Sequence, residues 1–119
     1  MMAYCSFEDL EVWKRSCQLA AWVYGLLRNC KDFGLKDQMT RAAVSIASNI
    51  AEGAERGSKP DYIRFLCIAK GSAAELRTQA YIAQSIGLID KIAAEELLGE
   101  LNELSAMLQG LIKSIRKKI

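Results

Sequence analysis

The polar residues of this sequence that could do chemistry lie in one segment. They recur every three or four residues and therefore share one side of a helix. The five are Gln38, Arg41, Ser45, Asn49 and Glu52. A functional interpretation makes this polar line a ligand or partner site, and a small-molecule or enzyme site would use Arg41, Asn49 and Glu52. We favour a structural interpretation, in which the line hydrogen-bonds to Ser72 and Glu75 of the next helix or across a subunit interface.

The rest of the sequence offers little for catalysis or metal binding. It has no histidine, which excludes a conventional triad, a typical zinc site and the Glu-x-x-His motif of di-iron bundles. No glycine-rich phosphate-binding motif occurs. The 4 cysteines show no Cys-x-x-Cys spacing, and we expect buried or unreactive thiols at Cys5, Cys17, Cys30 and Cys67. We therefore predict no enzymatic activity, no metal and no cofactor.

A group of cations closes the sequence. Four basic residues follow the last acidic residue, Glu103, and they are Lys113, Arg116, Lys117 and Lys118. Cations stabilise the negative end of a helix dipole and keep a terminus soluble, and this interpretation stands beside phosphate binding. Arg56 and Lys59 would join a phosphate-binding surface from a loop. Repeated around an oligomer, the terminal cations would form a positive rim.

Composition indicates one helical domain. Of the 119 residues, 51% are hydrophobic and 25% are charged, which predicts a single packed domain over residues 1–119. One proline and 8 glycines are too few for the turns of a β protein. The formal charge of +2 does not by itself indicate nucleic-acid binding. Charges interrupt every apolar run and no signal peptide is evident, so we expect a soluble, cytoplasmic protein without membrane contact.

Hydrophobic periodicity predicts two helices in the first half. The first begins after Ser6, which would cap it together with Asp9, and ends near Cys30. Its apolar stripe comprises Leu10, Trp13, Cys17, Ala20, Tyr24 and Leu27. The second runs from about Leu35 to Arg56. Its apolar face comprises Met39, Ala43, Ile46 and Ile50, with the small residues Ala42, Ala47 and Ala51 beside them.

Turn residues separate two further helices. Gly57 stops the second helix and Ser58 caps the third, which spans about Lys59 to Ser85. Gly87 ends the third, and Asp90 caps a fourth that continues to the basic terminus. The third has an apolar stripe of Tyr62, Leu66, Ala69, Ala73, Leu76 and Ala80. The fourth repeats Leu97, Leu101, Leu104, Leu108, Leu111 and Ile115. Four such helices with short connections predict an all-α, antiparallel up-and-down four-helix bundle.

The first and third helices carry more apolar residues than one buried stripe requires. The surplus comprises Val12, Val23 and Leu26 on the first helix and Ile63, Phe65 and Ile68 on the third. In a monomer these residues would leave large exposed apolar patches, so we predict a homo-oligomer. The alternative is scattered surface hydrophobic residues, which are normal when single.

Several motifs carry a resemblance to a known family. The segment QMTRAAVSIASNIAEG at residues 38–53, with Arg56 after it, resembles the signature of the four-helix bundle protein family, also called the ribosomal RNA intervening-sequence protein family. FEDLEVW at residues 7–13 and FL, AKGS and EL between residues 65 and 76 follow in the family's order. Ala47 departs from a proline that relatives often have, and Ala54 from an aromatic residue. Both departures are mild.

The resemblance implies a bundle that assembles into a homo-oligomeric ring, with a homopentamer expected, and genes that in some cases lie inside intervening sequences of large-subunit ribosomal RNA. A distantly similar fold occurs in accessory proteins of diversity-generating retroelements, which resemble basic pentameric barrels that bind nucleic acid. The leading hypothesis is a homo-oligomeric scaffold that binds RNA or DNA through the phosphate backbone, without base stacking. The alternative is a protein-interaction adaptor with no nucleic-acid role.

Overall fold

The computed structural model describes residues 6–117, so Cys5 and Lys118 lie outside the described residues. A short 3-10 helix, Phe7–Asp9, precedes four α-helices. They are α1 (Glu11–Leu26), α2 (Phe33–Glu55), α3 (Lys59–Ser85) and α4 (Lys91–Lys117). The described residues form no β-strand, and the predicted all-α class is confirmed.

The helices pack as an antiparallel up-and-down bundle. Each helix contacts the next one along the chain, and α1 also contacts α4 less extensively. The four helices therefore occupy the corners of a square, in a molecule of 52 × 20 × 20 Å. Because the connections are short, the α2–α3 turn and the end of α4 lie at one end of the bundle. The α1–α2 and α3–α4 connections lie at the other end.

Helix boundaries follow the local signals in the sequence. The side chains of Ser58 and Asp90 each accept a hydrogen bond from the backbone N–H three residues further on, at 3.3 and 2.8 Å. Gly57 and Gly87 have φ angles of 86° and 77°, in the left-handed region that glycine enters without steric cost. The predicted bounds of α3 are confirmed.

The prediction for the first helix is wrong in its bounds and in its buried face. Ser6 caps the 3-10 helix, accepting a hydrogen bond from the N–H of Glu8 at 3.1 Å, and α1 starts only at Glu11 and ends at Leu26. The buried residues are Val12, Ser16, Leu19, Val23 and Leu27. Apart from Leu27, the predicted stripe lies beside them, half-buried or exposed. Two apolar stripes run along α1, and periodicity does not tell which one faces the core.

The stripes predicted for the other helices form most of the core. Fully buried side chains include Met39, Ile46, Ile50, Leu66, Leu76, Leu97, Leu101, Leu104 and Leu108. Near the end of α4, Ile112 is buried and the predicted Leu111 is only half-buried. Ala69, Ala73 and Ala80 bring α3 close to its neighbours, because they have no accessible surface and no side chain beyond Cβ.

The predicted surplus of apolar surface is smaller than expected. Val12, Val23 and Phe65 are buried within a single chain, so the argument for an oligomer from these three residues is wrong. Leu26 and Ile63 are half-buried, and Ile68 is exposed. Other large apolar side chains are exposed instead: Tyr24, Phe33, Val44, Tyr81, Ile82, Ile86 and Ile92.

Candidate functional site

A hydrogen-bond network lies at the middle of the polar line on α2. The hydroxyl oxygens of Ser45 and of Ser72 on α3 are 2.8 Å apart. Asn49 Nδ2 donates to the backbone carbonyl of Ser45 at 2.8 Å and to its Oγ at 2.9 Å. Ser72 is buried, and Ser45 and Asn49 are half-buried. The network links two helices and pairs polar groups that would be costly to bury alone.

The outer members of the polar line pair within their own helix. Arg41 Nε donates to Asp37 Oδ2 at 2.9 Å, and Glu52 forms an ion pair with Arg56 at 3.5 Å. Arg41 and Glu52 are separated by about 16 Å along the helix axis, since an α-helix rises ~1.5 Å per residue. The residues considered for an enzyme site are therefore spread along α2 and do not converge on one point.

Glu75 faces the first half of the polar line across a shallow groove. The groove has a volume of about 300 Å³, and Gln38, Arg41 and Ser45 line it with Glu75. Within residues 6–117, no hydrogen bond links Glu75 to these three side chains. The structure thus brings Glu75 beside the line, while the predicted hydrogen bond to α3 is made by Ser72 alone.

Gly53 lies where α2 meets α3. A Cβ atom built at this position would be 2.7 Å from Cβ of Phe65 and 3.2 Å from the carbonyl oxygen of Tyr62. Both are atoms fixed to the backbone of α3, so a side chain at position 53 requires the helices to move apart. Sequence reasoning assigned no role to this glycine. The available signal was a glycine inside a helical pattern four residues before the true stop at Gly57.

The predicted cations gather at one end of the bundle. Arg56 directly follows α2 and Lys59 begins α3, while Lys113, Arg116 and Lys117 lie in the last turns of α4. All five are exposed. The antiparallel topology brings together residues that are far apart in the sequence, and we call this surface the basic end.

Two guanidinium groups hold a phenyl ring beside the basic end. The Cζ atoms of Arg56 and Arg64 are 4.8 and 4.7 Å from the ring centroid of Phe65, within the range of cation–π attraction. Arg64 also pairs with Asp61 at 3.5 Å. Arg64 is a further cation near this end that sequence reasoning missed, and it lies on the exposed side of α3.

An apolar groove runs between the start of α3 and the end of α4. It has a volume of about 590 Å³. Pro60, Ile63 and Ile115 form its apolar part, and Lys59 and Arg116 stand beside them. We call it the α3–α4 groove. Periodicity alone did not predict it, because it depends on how two helix ends lie against each other.

Arg15 connects α1 to α4. Its Nη2 and Nε contact the two carboxylate oxygens of Glu100 at 2.5 and 3.0 Å, and Nη2 also lies 3.2 Å from Glu103. These hydrogen bonds, first with Glu100 and then with Glu103, raise the pKa of Arg15 above its ordinary value. No sequence signal identified the pairing, since its partners are more than 80 residues away along the chain.

The three described cysteines are free thiols that differ in exposure. Cys17 and Cys30 are half-buried, whereas Cys67 is exposed on the solvent side of α3. Of the two predicted alternatives, a buried or an unreactive thiol, Cys67 is not buried, and its lack of reactivity stays a prediction. Burial raises the pKa of the Cys17 thiol and, elsewhere, that of the Tyr62 phenol.

Residues 6–117 contain neither a cluster of metal-binding side chains nor a membrane-spanning helix. No three cysteine or carboxylate side chains in this range lie close enough together to hold a metal ion. None of its helices combines the length and the apolar character needed to span a membrane.

The antiparallel packing, the α2–α3 network and the basic end define a small four-helix bundle protein. The family model described as 23S rRNA-intervening sequence protein matches residues 8–110. The chain belongs to this family, and the predicted resemblance is confirmed.

The chain is similar over most of its length to a solved structure. This is the crystal structure of a protein of unknown function from the S23 ribosomal protein family of Bacteroides thetaiotaomicron. The TM-score is 0.81 at 27% sequence identity, and the match covers 86% of this chain and 98% of the other. A comparison with curated proteins finds no match.

Proposed function

We propose that this protein is a cytoplasmic, non-catalytic, homo-oligomeric scaffold that binds RNA through its basic end. The observation that carries the proposal is the gathering of Arg56 and Lys59 with Lys113, Arg116 and Lys117 on one exposed surface. Membership of a family described by 23S rRNA intervening sequences favours RNA over DNA as the nucleic acid. The spread of Arg41 and Glu52 along α2, together with a sequence without histidine, supports a role without catalysis.

Binding at such a surface is electrostatic. Lysine and arginine side chains that contact phosphates release condensed counterions, so the affinity falls linearly with salt on a logarithmic scale, by a slope of about 0.7 to 0.9 per contact. No aromatic ring lines the groove between Lys59 and Arg116, and proteins that bind single strands by stacking use mainly aromatic side chains for it. The surface therefore suits the sugar-phosphate backbone rather than a base sequence.

The oligomer in this proposal is the ring, a homopentamer, that the family resemblance implies. Support comes from α1, where residues 16–27 contain no charged side chain. Ala21, Tyr24 and Gly25 within this segment are exposed, although the outer side of a bundle helix is normally charged. A groove of about 360 Å³ continues the apolar surface onto α2 and is lined by Phe7, Trp13, Cys17, Ala20, Val44, Ala47, Ser48 and Ala51. We call the groove and the outer side of α1 the α1–α2 face.

The test is fluorescence anisotropy with a labelled 23S rRNA fragment and a random DNA duplex, from low to physiological salt. The triple variant Lys113→Glu, Arg116→Glu, Lys117→Glu is expected to lose more than ~100-fold in RNA affinity and about 3 units of salt slope, since each phosphate contact contributes about one. The matched control is Arg28→Glu, Lys31→Glu, Lys91→Glu. It changes three exposed cations at the opposite end and the net charge equally.

The two variants separate a site from a general charge effect. The control is expected to lose only a small part of the RNA affinity. An equal loss in both variants would show that only net charge matters and would reject the basic end as the site. An absence of RNA binding by the unaltered protein at low salt would reject the function itself.

A further inference from the structure

The α3–α4 groove combines an apolar floor with a positively charged edge. Its floor consists of Pro60, Ile63 and Ile115, its edge of Lys59 and Arg116, and its volume of about 590 Å³ lies within the ~300–1,000 Å³ typical of ligand pockets. We propose that this groove binds an amphipathic segment of a partner protein, with apolar residues on one side and acidic residues on the other.

The charges around the groove call for an anionic occupant. No acidic side chain lines the α3–α4 groove, and α4 has no acidic residue after Glu103. Asp61, the first acidic residue of α3, is already paired with Arg64. Within residues 6–117, Arg116 forms no ion pair and is exposed. Acidic side chains of a partner would therefore meet the positive charge of Arg116 at the edge of the groove.

To contact the apolar floor, a bound partner must insert apolar side chains into the groove. Ile115 is only 8% exposed and Ile63 is half-buried, so both lie below the level of the lysine and arginine side chains. A flat bilayer surface would not reach them. The phosphates of a nucleic-acid duplex would leave Ile63 and Ile115 uncovered. The groove also has no aromatic ring on which a base could stack.

An amphipathic helix meets both requirements. Helices that bind in grooves insert apolar residues spaced three and four apart and keep charged residues at the edges. This inference goes beyond RNA binding, because phosphate contacts need Arg116 and Lys59 but do not need Ile63. The peptide and RNA would compete for the basic edge, while only the peptide depends on the floor.

The test uses a fluorescein-labelled synthetic helical peptide with leucines on one face and glutamates on the other. Anisotropy at physiological salt is expected to show binding of this peptide and none of a version with lysine in place of glutamate. Ile63→Gln is expected to weaken binding at least ~10-fold, because it places an amide on the apolar floor. The matched control is Ile82→Gln, which changes an exposed isoleucine of the same helix near the opposite end.

The RNA assay on the same variants separates this inference from the proposed function. Ile63→Gln is expected to leave RNA affinity unchanged. Equal binding of the two peptides, or peptide binding that ignores Ile63→Gln, would overturn the inference, and so would an equal loss of RNA and peptide binding in that variant. If thermal melting shows that Ile63→Gln is destabilised, Arg116→Glu replaces it as the test, because Arg116 is exposed. Arg116→Glu must then weaken binding of the glutamate peptide at least ~10-fold.

Discussion

The close contact between α2 and α3 requires a residue without a side chain, Gly53, at the point where the two helices meet. Cβ of Phe65 occupies the space that any side chain at Gly53 would need. Phe65 is itself held on the outside by the guanidinium groups of Arg56 and Arg64. Further along the same two helices, the hydrogen bond between Ser45 and Ser72 holds their register. A small change at position 53 therefore acts on a helix pair that is fixed elsewhere.

Gly53→Ala is expected to lower the free energy of unfolding by about 1–3 kcal/mol, as overpacking does in other cores. The added methyl group would lie 2.7 Å from Cβ of Phe65, which outweighs the roughly 0.5–1 kcal/mol that alanine normally contributes over glycine inside a helix. Urea unfolding followed by circular dichroism measures the change.

Gly110→Ala is the matched control for this substitution. Gly110 lies in the helical part of α4, and no atom lies within 4 Å of a Cβ built there. The control is expected to gain about 0.5–1 kcal/mol. A similar gain in Gly53→Ala would contradict the close contact between α2 and α3.

At the scale of helices, periodicity predicts an element well when it carries a single apolar stripe. The leucine repeat of α4, apart from Leu111, and the stripe of α3 face the core as predicted. Ser58 and Gly87 mark helix boundaries, as a capping serine and a glycine in the sequence indicate. On α1, residues 16–26 include no charged side chain, and apolar residues lie on most sides of the helix. Which face of α1 is buried depends on its packing against α2 and α4. The sequence of α1 alone does not determine this packing.

The same reasoning explains which parts of the candidate site were predictable. The basic end follows from helix order, since antiparallel connection places Arg56 and Lys59 beside the end of α4. The Ser45–Ser72 hydrogen bond was anticipated as one option from helical spacing. Gly53, the α3–α4 groove and Arg15 were not anticipated. Each depends on how closely two helices pack and on their rotation relative to each other. The apolar pattern of one helix does not predict either quantity.

Arg15 is expected to stabilise the α1–α4 contact, which is the less extensive one for α1. Arg15→Ala should lower the free energy of unfolding by about 1–2 kcal/mol, because it removes a two-point hydrogen-bonded ion pair with Glu100 whose side chains are only 26% and 31% exposed. Chemical denaturation measures the loss.

Lys91→Ala is the control for Arg15→Ala. Its ion pair with Glu95 spans 3.8 Å between side chains that are 76% and 63% exposed, and such pairs contribute about 0–0.5 kcal/mol. Equal effects of the two substitutions would mean that the Arg15 pair does no more than a surface pair. Arg15→Lys adds a second comparison, since lysine keeps the charge and loses the two-point geometry.

At the scale of the whole molecule, the polar and apolar surfaces point in different directions. The basic end lies at one end of the 52 Å long axis, whereas the α1–α2 face runs along its side. A ring in which the chains stand parallel would bring all the basic ends to one rim, where RNA could contact several chains at once. Multiple contacts of this kind raise the overall affinity without any new type of contact. The oligomer and the RNA site are therefore linked in the proposed function.

Charges on the α1–α2 face are expected to separate the subunits. Tyr24 and Val44 are 52% and 41% exposed, so the double variant Tyr24→Glu, Val44→Glu should keep its helical circular dichroism while its mass falls to that of a monomer in sedimentation equilibrium. The control, Ile86→Glu with Ile92→Glu, changes side chains that are 59% and 69% exposed near the opposite end from the cations, and it should retain the oligomer.

RNA affinity provides the second readout for these two variants. A monomer keeps the cations of a single chain, so Tyr24→Glu, Val44→Glu should bind RNA at least ~10-fold more weakly than the control, because simultaneous contact is lost. The added charge is the same in both variants, which leaves assembly as the difference between them. An unchanged mass would show that the α1–α2 face is not the subunit contact. A monomer with undiminished RNA affinity would show that each chain binds RNA alone, and the ring would then have no part in binding.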